Sequence, residues 1–153
     1  MRTLKPVLLV EDDSVDAMMI KRAFKDLDVK SPLVHVTNGE QALAYIANTA
    51  NTEPCVILLD LNMPKMNGIE FLKVAKADVR LKCIPVVVLT TSRTDQDKLD
   101  CFDQSVAGYI VKPASYKGFL EAIRILDLYW TLSEMPADVA EVDDFEVKDA
   151  LNA

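Results

Sequence analysis

Short runs rich in valine, isoleucine and leucine alternate along this chain with longer amphipathic stretches, and parallel βαβ units require that rhythm. Val7 to Val10 reads as a first strand, Leu33 to Val36 as a second and Cys55 to Leu59 as a third. Pro85 to Leu89 and Tyr109 to Val111 supply the fourth and fifth. The third and fourth lack polar alternation, so both of their faces should be covered by helices. Between the strands, Val15, Met19 and Ala23 with Ile20, Phe24 and Leu27 recur at helical spacing and predict the buried face of a first helix. Asn38 followed by Gln41 suggests a capping box at the start of a second helix. Gly68 to Ala77 should form the third, Thr94 with Asp97 should cap the fourth, and Ser115 should precede the fifth. A doubly wound α/β fold is the natural solution, and right-handed crossovers bring the ends of strands one, three, four and five to one edge.

The length of 153 residues suits one domain over 1–132 with an acidic extension over 133–153. Residues 134–153 carry seven acids against Lys148, a net of −6 out of −7 for the whole chain. Phosphate contacts dominate nucleic-acid affinity, so an acidic chain with no basic stripe is a poor candidate for direct nucleic-acid binding. The longest apolar runs are strand-sized and too short to span a bilayer, and the N-terminus lacks the apolar segment of a signal peptide; a cytoplasmic protein without membrane contact is expected. Cys55, Cys83 and Cys101 are widely spaced and form no CxxC pair, so they read as small reduced hydrophobes. His35, the only histidine, reads as structural, and Met18, Met19, Met63 and Met66 as core or loop fillers.

Ligands of open parallel sheets bind beyond the carboxyl ends of the strands. There the chain places Glu11-Asp12-Asp13, Asp60, Thr90-Thr91 and Lys112-Pro113. A Rossmann site needs glycines after the first strand, so that backbone N–H groups can meet a pyrophosphate; three acids stand there instead, which excludes dinucleotides and flavin phosphates. Glu11, Asp12 and Asp60 held together would repel one another unless a cation sat between them. Carboxylate oxygens without His or Cys select Mg²⁺, which keeps open positions for a phosphoryl oxygen. A carboxylate beside such an ion can attack phosphorus, with Lys112 neutralising the equatorial oxygens and Thr90 donating a hydrogen bond to the arriving group.

The segments Leu8-Leu9-Val10-Glu11-Asp12-Asp13, Leu59 to Gly68, Val88-Leu89-Thr90-Thr91 and Gly108-Tyr109-Ile110-Val111-Lys112-Pro113 resemble, in order and spacing, the receiver domain of two-component response regulators. The resemblance implies a flavodoxin-like (βα)5 sheet of order 2-1-3-4-5. It implies that Asp60 accepts phosphoryl from a sensor histidine kinase, that Asp12, Asp60 and the Asn62 carbonyl hold Mg²⁺, and that Glu11 acts through water. It also implies that Thr90 and Tyr109 form a switch pair and that the Lys112-Pro113 bond is cis. Ala114 stands where many receivers carry an aromatic, and Thr91 is bulkier than the usual residue after the switch threonine.

Too little chain follows residue 133 for an output domain, so a receiver standing alone would signal through association, phosphate relay or storage. The competing reading is an inert binding module of the same fold. A phosphatase of the aspartyl-phosphate type would want an acid where Asn62 stands. The fifth helix carries a core stripe of Tyr116, Phe119, Leu120, Ile123, Leu126 and Trp130, and a second apolar stripe of Ala122, Ile125, Tyr129 and Leu132. A helix apolar on two faces needs a cover, which predicts a two-fold homodimer through this helix, unless Met135 to Phe145 folds back over it. The long helix ending Tyr129 to Pro136, with the Ser92 turn, is similar to the regulators paired with phytochrome-type kinases.

Overall fold

The structure, a computed structural model, describes residues 4–136. The strands are β1 (Val7–Val10), β2 (Leu33–Val36), β3 (Val56–Leu59), β4 (Val86–Thr90) and β5 (Gly108–Val111). The helices are α1 (Ser14–Asp26), α2 (Gly39–Ala47), α3 (Gly68–Ala77), α4 (Asp95–Asp103) and α5 (Tyr116–Leu132), with a 3-10 turn at Leu81–Cys83. All strand pairs are parallel and the order is β2-β1-β3-β4-β5. The three central strands are buried throughout and the two edge strands half-buried.

Because side chains alternate across a strand, the sheet divides the core into two layers. Val7, Leu9, Leu58 and Leu89 face α1 and α5, whereas Leu8, Val10, Ile57 and Val88 face α2, α3 and α4. On α5 the core stripe falls as expected: Phe119, Ile123, Leu126 and Trp130 are buried, with Tyr116 and Leu120 packed beside them. Trp130 lies 5.9 Å, centroid to centroid, from Phe24 of α1. Met135 is buried in the same layer. Residues 137–153 lie outside the described residues, and with them all but Met135 and Pro136 of the segment expected as an alternative cover for α5.

On α1 the expected face is rotated. Ala17, Ile20, Ala23 and Phe24 are buried, but Val15 is 52% and Met18 61% exposed. At about 100° per residue, Val15 stands ~140° around the helix from Ile20, so both cannot face α5; the small Ala17 takes the inward position. Asn38 does cap α2, accepting from the Gln41 N–H at 2.9 Å, but Gln41 returns its bond to the Thr37 N–H, one residue short of a capping box. The reciprocal box lies instead at α3, between Asn67 and Glu70. Among the described residues no peptide bond is cis, so Lys112-Pro113 is trans, the intrinsically favoured isomer. No helix there is long and apolar enough to cross a membrane.

Candidate functional site

The sheet ladder runs one residue past the strands and thereby fixes the site. The Glu11 N–H donates to the Val36 carbonyl at 3.0 Å, Asp60 N–H to Val10 at 3.0 Å and Lys112 N–H to Thr90 at 2.8 Å. Three charged residues from the ends of β1, β3 and β5 are thus anchored through their own backbones. The chain then turns sharply at Gly68, where a Cβ would lie 2.4 Å from the Asp60 carbonyl oxygen and 2.8 Å from Leu61 Cα. Only glycine lets the start of α3 close against the strand that carries Asp60.

Glu11, Asp12 and Asp60 each present a carboxylate oxygen to a common point, all within 4.8 Å of one another. Asp60 Oδ1 accepts from the Leu61 N–H at 2.8 Å, which leaves Oδ2 turned toward Lys112 at 3.4 Å. A cleft of about 540 Å³ opens over them, lined by Asp12, Asp13, Asp60, Asn62, Thr91 and Lys112 among others. Glu11 lies beneath it, 1% exposed, with Oε1 bonded to Lys112 Nζ and Oε2 without a partner.

Burial, with Asp60 beside it, pushes the Glu11 carboxyl up to about 9, although Lys112 pulls the other way. A proton on Glu11 would let its unpartnered oxygen donate toward Asp60. Burial also works against the Lys112 ammonium, but hydrogen bonds to Asp16 and Glu11 and the charge of Asp60 outweigh it and hold the lysine above its ordinary value. The donor set of carboxylates and an amide, with one buried oxygen lacking a partner, fits a hard divalent cation such as Mg²⁺.

Thr90 is fully buried and does not line the cleft; its hydroxyl oxygen accepts from the Ser92 N–H at 3.3 Å. Tyr109 is half-buried and donates its hydroxyl to the Ser92 carbonyl at 2.9 Å. Both expected switch residues therefore meet at one residue, whose hydroxyl in turn donates to Asp97 of α4 at 2.5 Å. His35 bonds the Glu11 carbonyl through Nε2 at 2.7 Å, a structural role. Cys55 and Cys101 are buried and Cys83 exposed, all three as thiols rather than disulfides. Ala122 is half-buried, and Ile125, Tyr129 and Leu132 are exposed, as is Leu128 beside them.

Sequence reading missed Asp16. Its carboxylate bonds Lys112 Nζ at 2.7 Å, closer than Asp60 does. Its one signal was an acid in the first turn of a helix, a common placement that suits the helix dipole anywhere.

The family profile of the response regulator receiver domain matches residues 7–124. The probable methanogenesis regulatory protein FilR2 of Methanothrix harundinacea is 37% identical over 81% of this chain and 82% of its own length. Response regulator Rcp1 of Synechocystis sp. is 33% identical over 82% of this chain and 88% of its own. Among solved structures, the phosphorylated cyanobacterial phytochrome response regulator RcpA aligns with a TM-score of 0.80 at 36% identity, covering 88% of this chain and 99% of that one. The Mn(2+)-bound form of response regulator Rcp1 aligns with a TM-score of 0.79 at 31% identity, covering 86% and 99%.

Proposed function

This chain belongs to the response regulator receiver domain family, and on that premise we propose that it is a phosphoacceptor whose Asp60 takes a phosphoryl group from a sensor histidine kinase in a Mg²⁺-dependent reaction. The observation that carries this reading is the convergence of Glu11, Asp12 and Asp60 on one point, with the buried side chain of Lys112 reaching Asp60. Asp60 Oδ2 attacks phosphorus while the bond from phosphorus to the kinase imidazole nitrogen breaks, its electron pair returning to the imidazole. Asp12, Asp60 and Asn62, supported by Glu11 beneath, would hold Mg²⁺, which when bound offsets the crowded negative charge. Lys112 supplies a compact positive charge to the phosphoryl oxygens. The shape of the strand ends holds these groups in place before the donor arrives, and positioning with charge stabilisation is most of what phosphoryl transfer needs.

Thr90 and Tyr109 are the switch pair. Drawing the Thr90 hydroxyl toward the phosphoryl group breaks its bond with Ser92, and the Ser92 carbonyl is what holds Tyr109 inward. The modified protein signals by changed association, with sustained turnover of free substrates disfavoured by Asn62 in place of a second acid. The face of Ala122, Ile125, Tyr129 and Leu132 forms a two-fold homodimer through α5. The likeness to RcpA, named as a phytochrome response regulator, supports a phytochrome-type kinase as donor. Incubation with Mg²⁺ and acetyl phosphate, followed by intact-mass measurement, should show one phosphoryl adduct that Asp60→Asn abolishes. A folded wild-type protein that stays unmodified would support the inert binding module instead.

A further inference from the structure

Lys112 Nζ has three protons to give and points at three carboxylates: Glu11, Asp16 at 2.7 Å and, at the longest distance, Asp60 at 3.4 Å. A phosphoryl group on Asp60 takes over the 3.4 Å contact of Oδ2 and brings further oxygens that draw the ammonium closer, so one of the two shorter bonds must yield. Glu11 and Asp16 are not equally able to do so. The Glu11 side chain is 1% exposed and would be stranded as a buried unpaired group, whereas that of Asp16 is 23% exposed and can turn to water. Asp16 lines the cleft over Asp60 and also a second cavity of about 310 Å³ that it shares with Lys112, Thr91, Arg93, Pro113 and Ala114, which gives its side chain room to turn. Its backbone is pinned by the α1 cap, with the Asp16 N–H donating to Asp13 Oδ1 at 3.0 Å, so release involves the side chain alone.

Resting on the phosphoacceptor reading, we propose that Asp16 is a positioning residue that holds Lys112 back from Asp60 in the unmodified protein and must surrender it when a phosphoryl group arrives. Asp16 therefore weakens the hold of the site on phosphoryl groups and acts through the lysine rather than by touching phosphorus. With acetyl phosphate as donor, the bond from Asp60 Oδ2 to phosphorus forms as the bond from phosphorus to the acetate oxygen breaks. Acetate leaves with the electron pair, and Lys112 moves from Asp16 to a phosphoryl oxygen.

The test is a calorimetric titration of the full chain with beryllofluoride in saturating Mg²⁺, which forms a phosphoryl-like adduct on an aspartate. Asp16→Asn keeps the shape but loses the charge, and should bind about tenfold tighter, the worth of one charge-assisted hydrogen bond. Asp16→Glu should return wild-type affinity. Asp13→Asn removes a charge from the same cleft without touching Lys112 and should gain less. The affinity for Mg²⁺ alone should not rise in Asp16→Asn, which separates release of the lysine from a general change in the pocket. Unchanged or weaker beryllofluoride binding by Asp16→Asn, or an equal gain in Asp13→Asn, would overturn the inference while leaving the phosphoacceptor reading intact. A folded wild-type protein that binds no beryllofluoride would overturn both.

Discussion

Replacing Glu11 with glutamine should make the stability of the ion-free protein nearly independent of pH over a range where that of the wild type is steep. Glu11 is 1% exposed and one of its oxygens lacks a partner. Its carboxyl is raised from 4.5 to about 9, mainly by burial and by Asp60 beside it. Between those values the folded chain holds a proton that the unfolded chain has lost. Glu11 thus contributes its full stability below the unfolded value and loses it as pH climbs toward the folded one. One proton corresponds to ~1.4 kcal/mol per pH unit, so about 3 kcal/mol should vanish over two units around neutrality. The amide introduced by Glu11→Gln cannot titrate, and it can donate toward Asp60 as the carboxylic proton would. Urea unfolding with a chelator present, at constant ionic strength, would read both slopes from the midpoints. Millimolar Mg²⁺ should flatten the wild-type curve, because an ion that displaces the proton couples binding to pH. A chelated wild type flat to within ~0.5 kcal/mol, the ordinary scatter of surface effects, would refute the reasoning. So would equal slopes in the two proteins.

Other outcomes follow from the same geometry. Gly68→Ala must move backbone, since its Cβ would lie 2.4 Å from the Asp60 carbonyl; it should cost about 1–3 kcal/mol in urea unfolding and weaken Mg²⁺ binding by calorimetry. Trp130→Ala removes the buried ring that packs against Phe24 and should cost about 3–5 kcal/mol by the same unfolding measurement. Ile125→Glu, at a position 53% exposed, should leave monomer stability within ~0.5 kcal/mol yet shift sedimentation toward the monomer. Tyr109→Phe should lose the bond to Ser92, at a cost of about 1 kcal/mol, and leave Mg²⁺ affinity unchanged.

Much of the site was legible because chemistry and secondary structure coincide in this fold. Asp12, Asp60 and Lys112 each follow an apolar run closely, so finding the strands places the charges at one edge. The α5 core stripe was equally plain, since Phe119, Ile123, Leu126 and Trp130 keep helical spacing without interruption. Where two apolar faces competed, as on α1, spacing alone could not choose. Val15 and Met18 are as hydrophobic as the residues that won, and only the approach of α5 selects Ala17 and Ile20.

The order of strands and helices, the buried central strands and the gathering of acids with one lysine at the strand ends were written in the chain itself. Those features depend on side-chain periodicity and on the handedness of crossovers, which act over a few residues or follow from connectivity. Only the tertiary structure decided which partners Lys112 takes, that Asp16 is among them, that Thr90 and Tyr109 both address Ser92, and that Lys112-Pro113 is trans. Asp16 and Lys112 are 96 positions apart. Nothing local couples them; ångström-scale distances and competing carboxylates do, and those exist only once the sheet has formed.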